Sequence, residues 1–294
     1  MARPLFSGLF TALVTPFRGG EIDEPALRRL VDRQVEAGVD GVVPCASTGE
    51  SATLSHAEHA RAVEIAVSEV RGRVRVLAGA GSNSTREAIE LTALAKRAGA
   101  DGALLISPYY NKPTQEGIVA HYAAIAAETE FPLVFYNIPG RTASNLLPAT
   151  QARLAEIEQV VGVKESSGDL DQVAEVIARC PEGFAVFSGD DALTLPIMAL
   201  GGAGVISTSA NVAPGEMRAL VRALQQERLA DARRIHLRLM PLFDALFLET
   251  NPIPVKAALA MLGLCDGEIR LPLTRAVAAT RDRLEAVLKD LGSG

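Results

Sequence analysis

Tryptophan is absent from this chain of 294 residues, aromatic residues make up only 4%, and cysteine occurs three times. Cys45, Cys180 and Cys265 lie far apart, form no CxxC pair and leave an odd count. Neither a disulfide framework nor a cysteine metal site is therefore expected, and free thiols suit a reducing compartment, here read as the cytoplasm. Long apolar runs are missing as well. No eighteen apolar residues stand together, and the opening MARPLFSGLFTALVTPF is interrupted by Pro4, Gly8 and Pro16, so neither a membrane span nor a signal core is read there. Positive charge is not in excess: 29 Lys and Arg face 35 Asp and Glu, a formal net charge of −6. That balance argues against nucleic acid as a partner, because phosphate binding needs a clustered basic surface. Several catalytic signatures are also absent. There is no HExxH and no GxSxG, and His56 and His59 form only an i,i+3 pair that suits a helix surface. No metal and no organic cofactor is expected.

What is present is repetition. Apolar residues are 48% of the chain, enough to bury a large core without staples. Eight short runs rich in Val, Ile and Leu recur at 10–17, 41–47, 74–81, 102–108, 132–138, 160–166, 184–190 and 204–210. Amphipathic stretches such as EPALRRLVDRQVEAG (24–38) and TREAIELTALAKRAG (85–99) separate them. Continuous apolar strands alternating with helices indicate a parallel sheet covered by helices. An open doubly wound sheet would need a glycine-rich turn after the first strand, and TPFRGGEID is not one. Eight near-even units favour a closed (β/α)8 barrel, the TIM-barrel form of the α/β class. Helix starts are marked by two apparent capping boxes, Ser55-x-x-Glu58 and Ser84-x-x-Glu87. Beyond residue 213 the pattern is helical only, at 214–226, 227–247, 253–263 and 273–291. The expected division is a catalytic barrel over 1–226 and a C-terminal helical extension over 227–294 packed on it.

Barrel enzymes carry their chemistry at the C-terminal ends of the strands. Those ends hold Ser47, Thr48 and Glu50, then Tyr109 and Tyr110, then Tyr136, Asn137 and Arg141, then Lys164 and Glu165, and finally Gly189, Asp190 and Asp191. Lys164 closes the run VVGV, so its stem points along an apolar interior. Desolvation there favours the free amine that a lysine nucleophile needs. The plainer alternatives are a lysine snorkelling to the rim or paired with Glu165. Tyr110 and Tyr136 can pass protons or simply fill the barrel mouth. Arg141, in a Pro-Gly-Arg-Thr turn, can fork onto a carboxylate or be a solvated loop residue. Asp190 and Asp191 can meet a cation or cap the next helix.

Six segments resemble, in order and spacing, the superfamily of Schiff-base aldolases that joins the dihydrodipicolinate synthases and the N-acetylneuraminate lyases. They are Ala46-Ser47-Thr48-Gly49-Glu50, SPYYNKPTQEG (107–117), YNIPGRT (136–142), GVKESSGD (162–169), FSGDDAL (187–193) and ETNPIPVKAAL (249–259). The resemblance implies that Lys164 condenses with pyruvate and that Thr48 holds the pyruvate carboxylate. It implies a proton relay of Ser47, Tyr136 and Tyr110, with Tyr110 entering from a neighbouring subunit. Gly189 and Ile206 would line the pyruvate pocket. Arg141 in its Pro-x-Arg-Thr turn resembles the synthase branch, where it binds the carboxylate of aspartate semialdehyde. Ala46-Ser47-Thr48 departs from the Gly-Thr-Thr of typical synthases toward the lyases. The implied reaction joins pyruvate to L-aspartate 4-semialdehyde, giving 4-hydroxy-tetrahydrodipicolinate on the way to lysine and diaminopimelate. Another pyruvate-dependent aldolase, or a non-catalytic keto-acid-binding regulator, is the alternative. Ser51, Ala52, His56, Asn83, Glu87 and Tyr109 resemble the L-lysine effector site of lysine-sensitive synthases, and a homotetramer built as a dimer of dimers is implied.

Overall fold

The computed structural model describes residues 4–292, so the outer limits of the two expected units, residues 1 and 294, lie outside it. Among the described residues, eight parallel strands close into a barrel in which each strand neighbours the next in sequence. They are β1 (Gly8–Ala12), β2 (Gly41–Val43), β3 (Arg75–Gly79), β4 (Gly102–Ile106), β5 (Leu133–Asn137), β6 (Val160–Glu165), β7 (Ala185–Ser188) and β8 (Gly204–Ser207). β1 pairs with both β2 and β8, which leaves the barrel sheet without an edge.

The strands are shorter than the apolar runs that announced them. Buried apolar and small residues continue past the ladder at Pro44, Cys45 and Ala46, where the chain turns inward to line the barrel mouth. The first run differs most. Its strand ends at Ala12, and its last residue joins a two-stranded hairpin, Phe17–Arg18 with Glu21–Ile22, that the sequence did not announce. Gly19 and Gly20 make that hairpin possible, with φ of 62° and 87°.

Side chains alternate between two cores. Inside the barrel stand Phe10, Ala12, Val43, Leu77, Leu104, Val134, Tyr136, Ala185, Phe187 and Ile206. Phe10 meets Phe187 edge-on at 5.5 Å. The larger core fills the ring between strands and helices. It includes faces of α1 (Glu24–Glu36), α2 (His56–Val70), α3 (Thr85–Arg97) and α4 (Gln115–Thr129). α5 (Pro148–Leu154), α6 (Leu170–Arg179), α7 (Thr194–Ala199) and α8 (Pro214–Gln225) continue the ring.

The C-terminal helices are α9 (Leu229–Ala245), α10 (Ile253–Met261) and α11 (Ala278–Asp290). α9 packs on α8 and α11, while the segment leading into α10 reaches the mouth of the barrel. No helix among the described residues is long and apolar enough to cross a membrane.

Candidate active site

Lys164 is the fifth residue of β6 and lies in register with Tyr136 on β5 and Phe187 on β7. Its side chain is inside the barrel and 5% exposed, with Nζ 4.3 Å from the centroid of the Tyr136 ring. The Tyr136 face attracts a cation there. Glu165 is not its partner, because successive strand residues project to opposite faces. The Glu165 carboxylate accepts instead from Asn137 Nδ2 at 3.0 Å, Gln151 Nε2 at 2.8 Å and the Ser167 amide at 2.8 Å. Glu165 thus pins the loops outside the barrel and turns away from Lys164. Gly189 lies beside Lys164. A Cβ at that position would stand 2.9 Å from Lys164 Cε and would collide with Ser166 Oγ.

The loop after β2 forms a 3-10 turn over Ser47–Gly49. Thr48 is buried, and its Oγ1 accepts from Asn251 Nδ2 at 2.9 Å. Thr15 Oγ1 donates to Gly49 O at 2.7 Å, holding the turn from beneath. Glu50 ends the turn in the left-handed region, φ 53° and ψ 37°. Its carboxylate pairs with Lys256 Nζ at 2.5 Å, both side chains 1% exposed, and accepts from the Arg270 amide at 3.1 Å. Lys256 Nζ and the Arg270 guanidinium both lie over the Phe17 ring, at 4.3 Å and 4.2 Å.

After β5, residues Pro139–Thr142 make a single helical turn that carries Arg141. Arg141 is exposed, with Nη2 donating to Asn251 O at 2.9 Å. A cavity of about 440 Å³ is lined by Ser47, Tyr136, Arg141 and Asn251. Lys164 and Thr48 are buried behind that wall, each in contact with a residue that forms it. Ile206 is 1% exposed on the inner face of β8. Cys45 also lines the cavity, yet burial pushes its thiol up to about 12, so it remains protonated and offers no thiolate.

Tyr110 is not part of this group within one chain. It is 89% exposed at the surface, with φ 73°. Its neighbour Tyr109 does line the cavity, and so do Ser51, Ala52, His56 and Glu87. Asn83 reaches the same place indirectly, donating from Nδ2 to Tyr109 O at 3.2 Å. The second apparent capping box is only half formed. Ser84 Oγ accepts from the Glu87 amide, but the Glu87 carboxylate turns away, to His56 Nε2 at 2.9 Å and to Ser82 Oγ. Ser82 supplies the missing half by accepting from the Ser84 amide at 3.0 Å. Hydrogen bonds from Ser82 and then His56 hold the Glu87 carboxyl below its ordinary range, so it stays ionised facing the cavity.

Asp190 caps the turn after β7 by accepting from the Ala192 amide, and Asp191 accepts from the Thr208 and Ser209 amides. Among the described residues no cluster of three His, Cys, Asp or Glu is placed to hold a metal. Asn251, Lys256 and Arg270 went unread as site residues, although Asn251 and Lys256 lie inside the quoted NPIPVK segment. They sit at no strand end, and only the fold carries them across some two hundred residues to the loop after β2.

The model of the dihydrodipicolinate synthetase family matches residues 5–291. The 4-hydroxy-tetrahydrodipicolinate synthase of Syntrophus aciditrophicus is 54% identical over 288 residues, covering 98% of this chain and 99% of its own. Dihydrodipicolinate synthase from Aquifex aeolicus superposes with a TM-score of 0.96 at 48% identity, covering 98% of each chain. The synthase from Cyanidioschyzon merolae, solved with lysine bound, superposes with a TM-score of 0.97 at 43% identity, covering 99% of this chain and all of that one.

Proposed function

The chain belongs to the dihydrodipicolinate synthetase family, and from that premise we propose the residues by which it acts as a 4-hydroxy-tetrahydrodipicolinate synthase. The Lys164 amine adds to the carbonyl carbon of pyruvate, and loss of water leaves an imine. The imine draws electrons from the adjacent methyl group, which loses a proton to become an enamine. No external electron sink is needed. The enamine carbon then attacks the aldehyde of L-aspartate 4-semialdehyde, whose oxygen gains a proton. The amine of that substrate attacks the imine carbon, closes the ring and releases Lys164.

Each step sets a task for one of the named residues. Thr48 receives the pyruvate carboxylate. Ser47 and Tyr136 carry protons to and from the imine, and Tyr110 joins them from a second subunit. Gly189 and Ile206 shape the pocket, and Arg141 receives the carboxylate of the semialdehyde. The observation that carries the reading is Lys164 itself, buried inside the barrel over Tyr136 while the Glu165 carboxylate is held by Asn137 and Gln151. Incubation with pyruvate and borohydride should add one reduced pyruvate per chain at Lys164, located by peptide mass mapping. Lys164→Ala should abolish both label and turnover. Label on another residue, or turnover surviving the substitution, would remove the assignment.

L-Lysine is the proposed effector. Its ammonium suits the ionised Glu87 carboxylate, and Ser51, Ala52, His56, Asn83 and Tyr109 surround that charge. The proposed assembly is a homotetramer of two dimers, each dimer sharing Tyr110 across its interface. The proposed setting is the cytoplasm, in keeping with Cys45, Cys180 and Cys265 being unpaired. The proposed division gives the chemistry to the barrel of 1–226 and treats 227–294 as a helical extension packed on it.

A further inference from the structure

Thr48 and Arg141 stand on different loops, after β2 and after β5, yet one residue touches both. Asn251 is 7% exposed and lines the cavity. Its side-chain Nδ2 donates to Thr48 Oγ1 at 2.9 Å, and its backbone oxygen accepts from Arg141 Nη2 at 2.9 Å.

The direction of the first bond matters. A threonine hydroxyl has one proton to donate and lone pairs to accept with. With Oγ1 accepting from Asn251, that proton stays free for a substrate carboxylate. The reverse amide orientation would consume the proton and bury two N–H donors. As it stands, one N–H of Nδ2 is matched by Thr48, and Oδ1 lacks a protein partner. Leaving buried donors unmatched is the costlier arrangement.

Asn251 is itself held in place. Five residues on, Lys256 pairs with Glu50, two residues beyond Thr48. The loop and the C-terminal segment are therefore tied at two points, and a left-handed Glu50 between them is kept by its own carboxylate.

We propose that Asn251 is a positioning residue that aims the Thr48 hydroxyl proton at one substrate carboxylate and anchors Arg141 for the other. It works through two different groups, side chain for Thr48 and backbone for Arg141. This rests on the assignment of those two residues to the substrates.

The separation of roles gives the test, run on the full-length enzyme. Asn251→Ala removes the amide and keeps the carbonyl, so KM for pyruvate should rise about tenfold, the worth of one hydrogen bond. KM for the semialdehyde should change by less than about twofold, since that hydrogen bond stays. In a Thr48→Val background the same substitution should add nothing to the pyruvate concentration that half-saturates borohydride labelling. Asn251→Asp keeps the shape, yet its carboxylate would take the Thr48 proton and repel the substrate. It should raise the pyruvate KM further than alanine does, and it carries the test if the alanine variant melts out. An unchanged pyruvate KM in both variants, or additive effects with Thr48→Val, overturns the proposal. Failure of wild-type enzyme to label at Lys164 overturns the functional reading instead, so the two failures are told apart.

Discussion

Lys164 and Glu165 show how one strand sends an amine and a structural carboxylate to opposite faces from adjacent residues. The pleat of β6 sends Lys164 inward and Glu165 outward, and hydrogen bonds from Asn137, Gln151 and Ser167 occupy Glu165. Gly189 completes the arrangement, since any side chain there would press on the lysine stem. Arg141 is the residue we propose as the receiver of the second substrate's carboxylate. It is exposed but tethered through Nη2 to Asn251 O, which presents the rest of its fork toward the cavity. Arg141→Leu should leave pyruvate labelling of Lys164 intact and cut kcat/KM for the semialdehyde about tenfold to hundredfold, the loss of a charge-assisted contact of about 1.5–3 kcal/mol. Unchanged kcat/KM for the semialdehyde would mean that another aldehyde is the natural substrate.

At the scale of elements, the C-terminal segment and the loop after β2 act as one unit. The buried Glu50–Lys256 pair joins them, and losing either partner alone would strand a buried charge at a cost of about 3–5 kcal/mol. Arg270 adds a second tie, pairing with Glu58 in the first turn of α2 at 2.5 Å. Its hydrogen bond is the main cause that holds the Glu58 carboxyl at about 2, below an ordinary value near 4.5. A depressed carboxyl contributes stability above its unfolded value and loses it as pH falls toward the folded one. Thermal stability should therefore decline between about pH 4.5 and pH 2 from this source. Arg270→Leu should flatten that part of a Tm-against-pH curve, and an identical acid limb in both proteins would show that the tie is inert.

The first turn of α3 presents Glu87 as an ionised group, with its capping duty handed to Ser82. An ammonium ligand would compete with His56 for it. Inhibition by L-lysine should be partial and not competitive with pyruvate, and Glu87→Ala should weaken it more than it lowers turnover. An active enzyme indifferent to millimolar lysine would leave Glu87 and its five neighbours with structural roles.

On the scale of the whole molecule, the proposed relay cannot be completed within one chain. Tyr110 is 89% exposed and away from Ser47 and Tyr136, which line the cavity. A large aromatic held in a left-handed conformation at the surface suits a residue aimed at another copy of the chain. The minimal active unit should thus be a dimer. Tyr110→Phe should lose most turnover while sedimenting like the parent, and a fully active monomer in sedimentation with enzyme assay would end the shared-site idea.

Sequence periodicity was sufficient for the barrel, because parallel strands buried on both faces must be apolar throughout and their count then sets closure. It also located Lys164, since a lysine ending such a strand stands out against its surroundings. Strand limits were overread, because buried mouth loops such as Pro44–Ala46 are as apolar as the strands they follow. Direction and partnership lay beyond the sequence. Whether Lys164 meets Glu165 depends on the pleat, and whether Glu87 caps its helix depends on Ser82 competing for the same amide. Asn251 and Lys256 belong to the site only because barrel closure brings the C-terminal helices over the second loop. Local patterns carry no information on contacts made across two hundred residues, so that part of the site was decided by tertiary structure alone.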